Sequence, residues 1–287
     1  METRFRKSKR NVLINSYAKI NLYLDVLKKR PDGYHEVDTI FVTVDLHDSL
    51  KFALTKKPGI KILSNIPELA SEKNLIYRIA ERILSDFGIK TGIEINLHKE
   101  IPLSAGLGGG SSNAAMTFLA MRDLLELEMS SDYLEHTAAM YGSDINFFFH
   151  GGCARGSSRG EQITLLPDLK ETQLLLVNPG IAVSSREAYE LSDMITTAEL
   201  KKGMWYNKLE AGVIKKYPVI GKLIEKLKDL EAQEAMMSGS GSTCIGLFPD
   251  IDRLDKAMNY FIEKSTWCRK VKIMGRRHYQ ECIQSLS

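Results

Sequence analysis

The residues most suited to chemistry lie in one stretch, Pro102-Leu103-Ser104-Ala105-Gly106-Leu107-Gly108-Gly109-Gly110-Ser111-Ser112-Asn113. Its four glycines and two adjacent serines stand directly before a segment of helical periodicity. Glycine lets the backbone take positive φ and lets amide N–H groups approach an anion closely. The helix N-terminus that follows adds unpaired N–H donors and partial positive charge. Ser111 or Ser112 can cap that helix and offer a hydroxyl to a phosphate or a phosphate-bound metal. The stretch is no Walker-type loop, because no lysine lies between Pro102 and Asn113. Nor does it fit a dinucleotide fingerprint. A connector that binds nothing is the competing interpretation; glycines set before two serines and a helix start favour an anion site.

Other candidates are scattered. Lys19 sits among Ala18, Ile20, Leu22 and Leu24, in a segment apolar enough to be buried. A buried ammonium needs a partner, and Asp144, far along the chain, is a candidate. Strand alternation puts Asn21 on the same face as Lys19. Tyr34 and His35 follow the turn Pro31-Asp32-Gly33, which would present them at a cleft. Taken alone, Tyr34 suits core packing and His35 a solvated surface better than a binding role. A second glycine-rich element, Gly239-Ser240-Gly241-Ser242-Thr243, reads both as a turn before a strand and as a wall of a site.

These residues need elements to hold them. Residues 12–24 and 34–45 read as strands around the turn, with short strands at 50–54 and 60–63. Leu75, Ile76, Ile79, Ile83, Leu84 and Phe87 recur at helical spacing, and Gly88 stops that helix. Residues 93–97 alternate as a strand leading into the glycine-rich loop. Ala114, Ala115, Phe118, Leu119, Met121 and Leu125 mark the helix after it, and 131–140 a third. Residues 172–177 form a buried strand. Helix-like stretches at 207–216, 219–230 and 251–264 then alternate with strand-like ones at 235–238, 243–248 and 271–274. There is no strict βαβ rhythm, so the expected class is α+β in two layers. The expected domains are 1–167 and 168–287.

Composition sets the limits. With 44% hydrophobic and 26% charged residues, 287 residues can bury a sizeable core, which excludes global disorder. The 39 basic and 36 acidic residues leave only +3, too little to argue for nucleic acid or a membrane surface as partner. No apolar run approaches the roughly 18 residues of a membrane span. Arg4, Arg6, Lys7, Lys9 and Arg10 read as a frayed solvated end. With no signal-type apolar stretch behind them, a cytoplasmic protein is expected. Cys153, Cys244, Cys268 and Cys282 show no CxxC pair or metal spacing and are expected as free thiols.

The glycine-rich loop resembles the phosphate-binding motif of the GHMP kinases. Ala18-Lys19-Ile20-Asn21-Leu22 and Arg30-Pro31-Asp32-Gly33-Tyr34-His35-Glu36 resemble one branch of that family, whose acceptor is 4-diphosphocytidyl-2-C-methyl-D-erythritol. Gly142-Ser143-Asp144-Ile145, Phe147-Phe148, Gly151-Gly152, Arg159-Gly160-Glu161, Asn207-x-Leu209-Glu210 and Met237-Ser238-Gly239-Ser240-Gly241-Ser242 are similar to further motifs of the branch. Lys208 and Asn146 stand where the branch often has Asp and Pro.

The resemblance implies a two-domain GHMP kinase fold, with an N-terminal mixed sheet, a C-terminal ferredoxin-like sandwich and the active site in the cleft between. It implies ATP-dependent phosphorylation of the acceptor's 2-hydroxyl, in the non-mevalonate route to isoprenoid precursors. On this match Asp144 takes the hydroxyl proton, and Lys19 orients the acceptor and relieves negative charge. The loop from Pro102 to Ser112 holds the ATP phosphates, and Lys99 faces the nucleotide. Asn21 lies against the substrate. Tyr34 stacks on the cytosine, His35 hydrogen-bonds it, Tyr189 forms the opposite wall and Ser185 a polar contact. Magnesium is expected, with no ligand assigned, and the partner is a small cytidine-diphosphate molecule. Monomer and homodimer both remain open. The competing readings are a homoserine or mevalonate kinase of the same family, a non-catalytic relative and a dinucleotide-binding oxidoreductase. The Asp32-Gly33-Tyr34-His35 element, the presence of Lys19 and Asp144, and the lack of a Rossmann unit argue against them in turn.

Overall fold

The computed structural model describes residues 11–194 and 204–284. The basic residues Arg4 to Arg10 lie outside the described residues. Two long antiparallel strands, β1 (Asn11–Lys29) and β2 (His35–Thr55), form the spine of the first sheet. The turn between them is closed by the Arg30 N–H donating to the Tyr34 carbonyl at 2.7 Å, with Gly33 at φ +84°.

β2 is one strand where the sequence pattern suggests two. Its polar interruption is tolerated because the groups find partners. The Asp45 carboxylate accepts the Lys272 N–H at 2.8 Å, and Asp48 is buried in the network described below.

β3 (Gly59–Ser64) runs parallel to β4 (Gly92–His98), which pairs antiparallel with the second half of β2. α1 (Leu75–Asp86) crosses between them. Asn74 caps it by accepting the Ile76 N–H, and Ile76, Ile79 and Ile83 form its buried stripe. α2 (Gly109–Leu124) packs on β1 and α1, and its buried residues include Ala114, Ala115, Phe118 and Met121. α3 (Ser131–Ala139) and the single turn α4 (Phe147–His150) lead to β5 (Cys153–Ser157), which pairs with the first half of β2, and to β6 (Gln162–Leu165).

The second sheet begins with β7 (Gln173–Asn178). α5 (Ser185–Asp193) follows. β8 (Tyr206–Asn207) then returns to pair with β1 in the first sheet. α6 (Lys208–Lys216), α7 (Pro218–Asp229), β9 (Glu234–Met237), β10 (Cys244–Leu247), α8 (Ile251–Glu263) and β11 (Trp267–Lys272) complete this half. The strand order β11-β7-β10-β9, all antiparallel, is the ferredoxin-like arrangement.

β7 is buried on both faces, which explains its unbroken apolar run. Leu175 and Val177 join the helix-covered core with Leu209, Ile220 and Phe261. Leu174 and Leu176 point the other way, against Ala18, Ile20, Leu22 and Val42 of β1 and β2. The two sheets therefore share a core, and the residues flanking Lys19 belong to it. The α+β expectation holds. α9 (Arg276–Ile283) was not legible, because its only large apolar residues are Tyr279 and Ile283. Both sink into the first core, and the Tyr279 hydroxyl donates to the Phe148 carbonyl at 2.6 Å.

Candidate active site

A cleft of 1120 Å³ opens between the first sheet with its glycine-rich loop and, from the second half, α5, Leu209 of α6 and the loop residues Gly239 and Ser240. Every residue expected to act on ATP or the acceptor lines it except Ser112. Ser112 is fully buried and turned to β1, where its Oγ accepts a hydrogen bond from the Ser16 hydroxyl at 2.8 Å. Neither serine caps α2. Gly108 holds the cap position at φ +68°, and Ser111 sits in the first turn facing the cleft.

The loop's shape requires glycine at defined points. At Gly106, φ +74°, a Cβ would lie 2.0 Å from the Ser238 carbonyl oxygen. At Gly108 it would meet Lys19 and Phe148 at 2.9 Å. At Gly110 it would meet nothing within 4 Å, so that face of the turn is open. The first-turn N–H groups of α2 have no intrahelical partners and make an anion cradle.

Beside the cradle the structure brings Lys19 and Asp144 together. Lys19 is 3% exposed, and its Nζ lies 3.2 Å from Asp144 Oδ2. The ammonium also donates to Asn21 Oδ1 at 2.6 Å and to the Gly106 carbonyl at 3.2 Å. Its backbone N–H donates to the Leu107 carbonyl at 3.0 Å, stitching β1 to the loop. Asn21 is fixed in turn by donating to Thr39 Oγ1 at 2.7 Å. Asp144 keeps part of its surface in the cleft, so its carboxylate is both paired and reachable.

Lys99 lines the cleft, but its ammonium is turned inward. It donates to Asp48 Oδ2 at 2.8 Å and to the Ile101 carbonyl at 2.7 Å. Asp48 also accepts the N–H groups of Glu100 and Ile101 and the Asn113 amide. Burial pushes the Asp48 carboxyl up and the Lys99 ammonium down, against their mutual attraction. The network anchors the loop's approach strand to α2 from beneath. Sequence reasoning missed it, because a lone Asp in a strand carries no pattern.

The lining also includes an apolar slot of Leu69, Leu75, Ile76 and Leu97. The Asn113 Oδ1 here is buried and has no hydrogen-bond partner among the described residues. These residues also escaped sequence reasoning.

Another part of the lining is aromatic. Tyr34 is 53% exposed, with the Arg159 guanidinium 4.9 Å from its ring centroid. The His35 and Tyr189 rings stack on each other, centroids 5.1 Å apart and planes 13° apart. His35 Nε2 donates to Asp193 Oδ1 at 2.9 Å, and Lys29 pairs with the same carboxylate. Burial and the nearby Asp144 charge push the Tyr189 phenol up. The Ser185 Oγ lies 3.4 Å from the Ser240 Oγ, linking α5 to the second glycine-rich element.

Comparisons with known proteins give the family. The family model described as GHMP kinases N terminal domain matches residues 74–152, and that described as GHMP kinases C terminal matches residues 185–265. The chain is therefore a GHMP kinase: a small-molecule kinase of two-domain α+β fold, with ATP as phosphoryl donor.

Within that class, it is 38% identical to the 4-diphosphocytidyl-2-C-methyl-D-erythritol kinase of Thermodesulfovibrio yellowstonii, over 90% of this chain and 96% of that protein. It is 40% identical to the same-named kinase of Macrococcus caseolyticus, over 81% and 89%. A crystal structure of 4-(cytidine 5'-diphospho)-2C-methyl-D-erythritol kinase superposes with a TM-score of 0.79 at 28% identity, covering 92% of this chain and 99% of that one. A homoserine kinase from Cytophaga hutchinsonii shares the fold, with a TM-score of 0.73 at 19% identity. The chain belongs to the 4-diphosphocytidyl-2-C-methyl-D-erythritol kinase family.

Proposed function

We propose that this chain transfers the γ-phosphoryl group of ATP to the 2-hydroxyl of 4-diphosphocytidyl-2-C-methyl-D-erythritol, on the route to isoprenoid precursors. The observation that carries the reading is the Lys19–Asp144 pair at 3.2 Å, set between a phosphate cradle and an aromatic end. In this reading Asp144 accepts the hydroxyl proton as the acceptor oxygen bonds to the γ-phosphorus. The bond from that phosphorus to the β-γ bridging oxygen breaks, and ADP leaves. Lys19 holds Asp144 and the hydroxyl in line and offsets the charge building on the transferred group.

The cradle from Pro102 to Ser111 holds the phosphates. The apolar slot takes the purine. Magnesium arrives as part of the nucleotide substrate, bound by phosphates and one or two protein oxygens at most. Among the described residues no group of three His, Cys, Asp or Glu could hold an ion by itself. At the acceptor end Tyr34, His35, Tyr189 and Ser185 hold the cytidine diphosphate, with Asn21 nearer the reacting centre. This reading divides the chain near 167/168 and pictures a cytoplasmic monomer or homodimer without nucleic acid. Among the described residues no helix is long and apolar enough to cross a membrane.

The test is ATP consumption with magnesium and three acceptors in parallel: the cytidyl substrate, homoserine and mevalonate. Turnover with the cytidyl substrate alone, lost in Asp144→Ala, is the expected result. Turnover with homoserine or mevalonate instead would overturn the acceptor; undiminished turnover in Asp144→Ala would overturn the base.

A further inference from the structure

One motif remains without a task, Asn207-Lys208-Leu209-Glu210. Neither Asn207 nor Glu210 lines the cleft. Asn207 ends β8, which pairs with β1 at Leu24, and it caps α6 by accepting the Leu209 N–H on Oδ1 at 3.0 Å. Its Nδ2 donates to two backbone carbonyls, Met237 at 2.8 Å and Gly239 at 2.7 Å. Glu210 Oε2 accepts the Met237 N–H at 2.7 Å. The start of α6 thus grips residues 237–239 with three hydrogen bonds.

The far side of the same segment touches the chemistry. Ser238 Oγ donates to the Gly106 carbonyl at 3.2 Å and accepts the Asn21 N–H at 3.4 Å. That Gly106 carbonyl also accepts Lys19 Nζ. Gly239, at φ +54°, runs so close that a Cβ there would lie 3.2 Å from Lys19 Nζ and 3.0 Å from Asn21 Oδ1. The Thr243 N–H donates to the Ala105 carbonyl at 3.2 Å. Segment 237–243 is therefore a spacer between α6 on one side and Lys19, Asn21 and the phosphate loop on the other.

We propose that Asn207, backed by Glu210, is a positioning residue for phosphoryl transfer: its amide sets the seat of residues 237–239 and, through them, of Lys19 and Gly106. The inference rests on the roles given above to Lys19 and Asp144. What the seat requires is a donor between two carbonyl oxygens. An acceptor placed there would face two acceptors and push the segment away.

The deciding variant is Asn207→Asp. It is nearly isosteric and caps a helix as well as asparagine does. It replaces the donor with a third acceptor. If Asn207 only caps α6, this variant behaves like the parent. If it positions the segment, kcat falls about 100-fold while KM for ATP and for the acceptor stays within about threefold. Asn207→Ser, which caps but cannot reach both carbonyls, is expected to lose about tenfold in kcat.

Melting curves accompany both; should Asn207→Asp fail to fold, Asn207→Ser decides by the same split. A kcat within about threefold of the parent in the folded Asp variant overturns the inference, as does a rise in KM with kcat unchanged. Lys19→Ala separates the two levels. If it is inactive while Asn207→Asp is fully active, the inference alone falls. If Lys19→Ala keeps the parent's kcat, the site reading falls and the inference with it.

Discussion

The two ends of the cleft are built on opposite principles. The phosphate end is backbone: its shape comes from glycines pressed against neighbouring carbonyls and from a buried Asp48–Lys99 network underneath. The aromatic end is side chains, with Tyr34 half exposed and His35 and Tyr189 stacked on each other. In the function proposed above, the nucleotide's phosphate chain is the part shared by every kinase of the family, so its seat can be rigid and formed on folding. The acceptor is the part that varies, and the seat proposed for it is made of exchangeable groups held by weaker contacts.

The largest effect should separate paired glycines. Gly106→Ala places a Cβ 2.0 Å from a carbonyl oxygen, so the loop must move and kcat should drop at least about 100-fold. Gly33→Ala, at φ +84° with nothing within 4 Å, should cost only about 1–2 kcal/mol of strain and leave ATP binding intact. Steady-state kinetics and melting of the two variants test the contrast; similar losses in both would break it.

Next, Asp48→Ala strands the buried Lys99 ammonium and should destabilise the protein by about 3–5 kcal/mol in a denaturant titration. A loss below about 1 kcal/mol would show that the network does not stiffen the phosphate end. Tyr34→Ala should raise KM for the acceptor about tenfold, with Tyr34→Phe near the parent and KM for ATP unmoved. An equal rise in both KM values would remove Tyr34 from the acceptor's seat.

The smallest effect is a pH dependence at Asp193. Burial alone would raise its carboxyl, but hydrogen bonds from His35 and Lys29 hold it below the ordinary value. The native carboxyl thus binds its proton less readily than the unfolded one. Its contribution is present above the unfolded value, 3.8, and fades as pH falls through the folded one. Denaturant midpoints between about pH 6 and pH 3 should fall more steeply in the parent than in Asp193→Asn. Parallel slopes would detach this contact from stability.

The same contrast governs what could be read from the sequence. A backbone site announces itself, because positive φ and close approach demand glycine, and the loop at 106–110 was legible for that reason. The direction of the Ser112 side chain was not legible, because a serine in a first helical turn can face the cleft or the sheet, and only packing against Ser16 decides. Lys19 was legible as a buried charge in want of a partner, but its pairing with Asp144 became a geometric fact only in the fold. Asp48 stayed hidden, and so did the contacts of Asn207 and Asn113, since each is met by distant segments. β2 looked like two strands because its polar residues are satisfied by partners that the alternation pattern cannot see.

The core shared by the two sheets has a consequence for how such a chain can change over generations. Ala18, Ile20 and Leu22 sit on one side of it, and Leu174, Leu176 and Ile245 on the other. Either half inherited alone would present a broad oily face to water. Recombination that swaps one half between relatives must therefore match that face residue for residue. New acceptors are reached more safely by point changes at the aromatic rim, where Tyr34, His35 and Tyr189 are not members of that core.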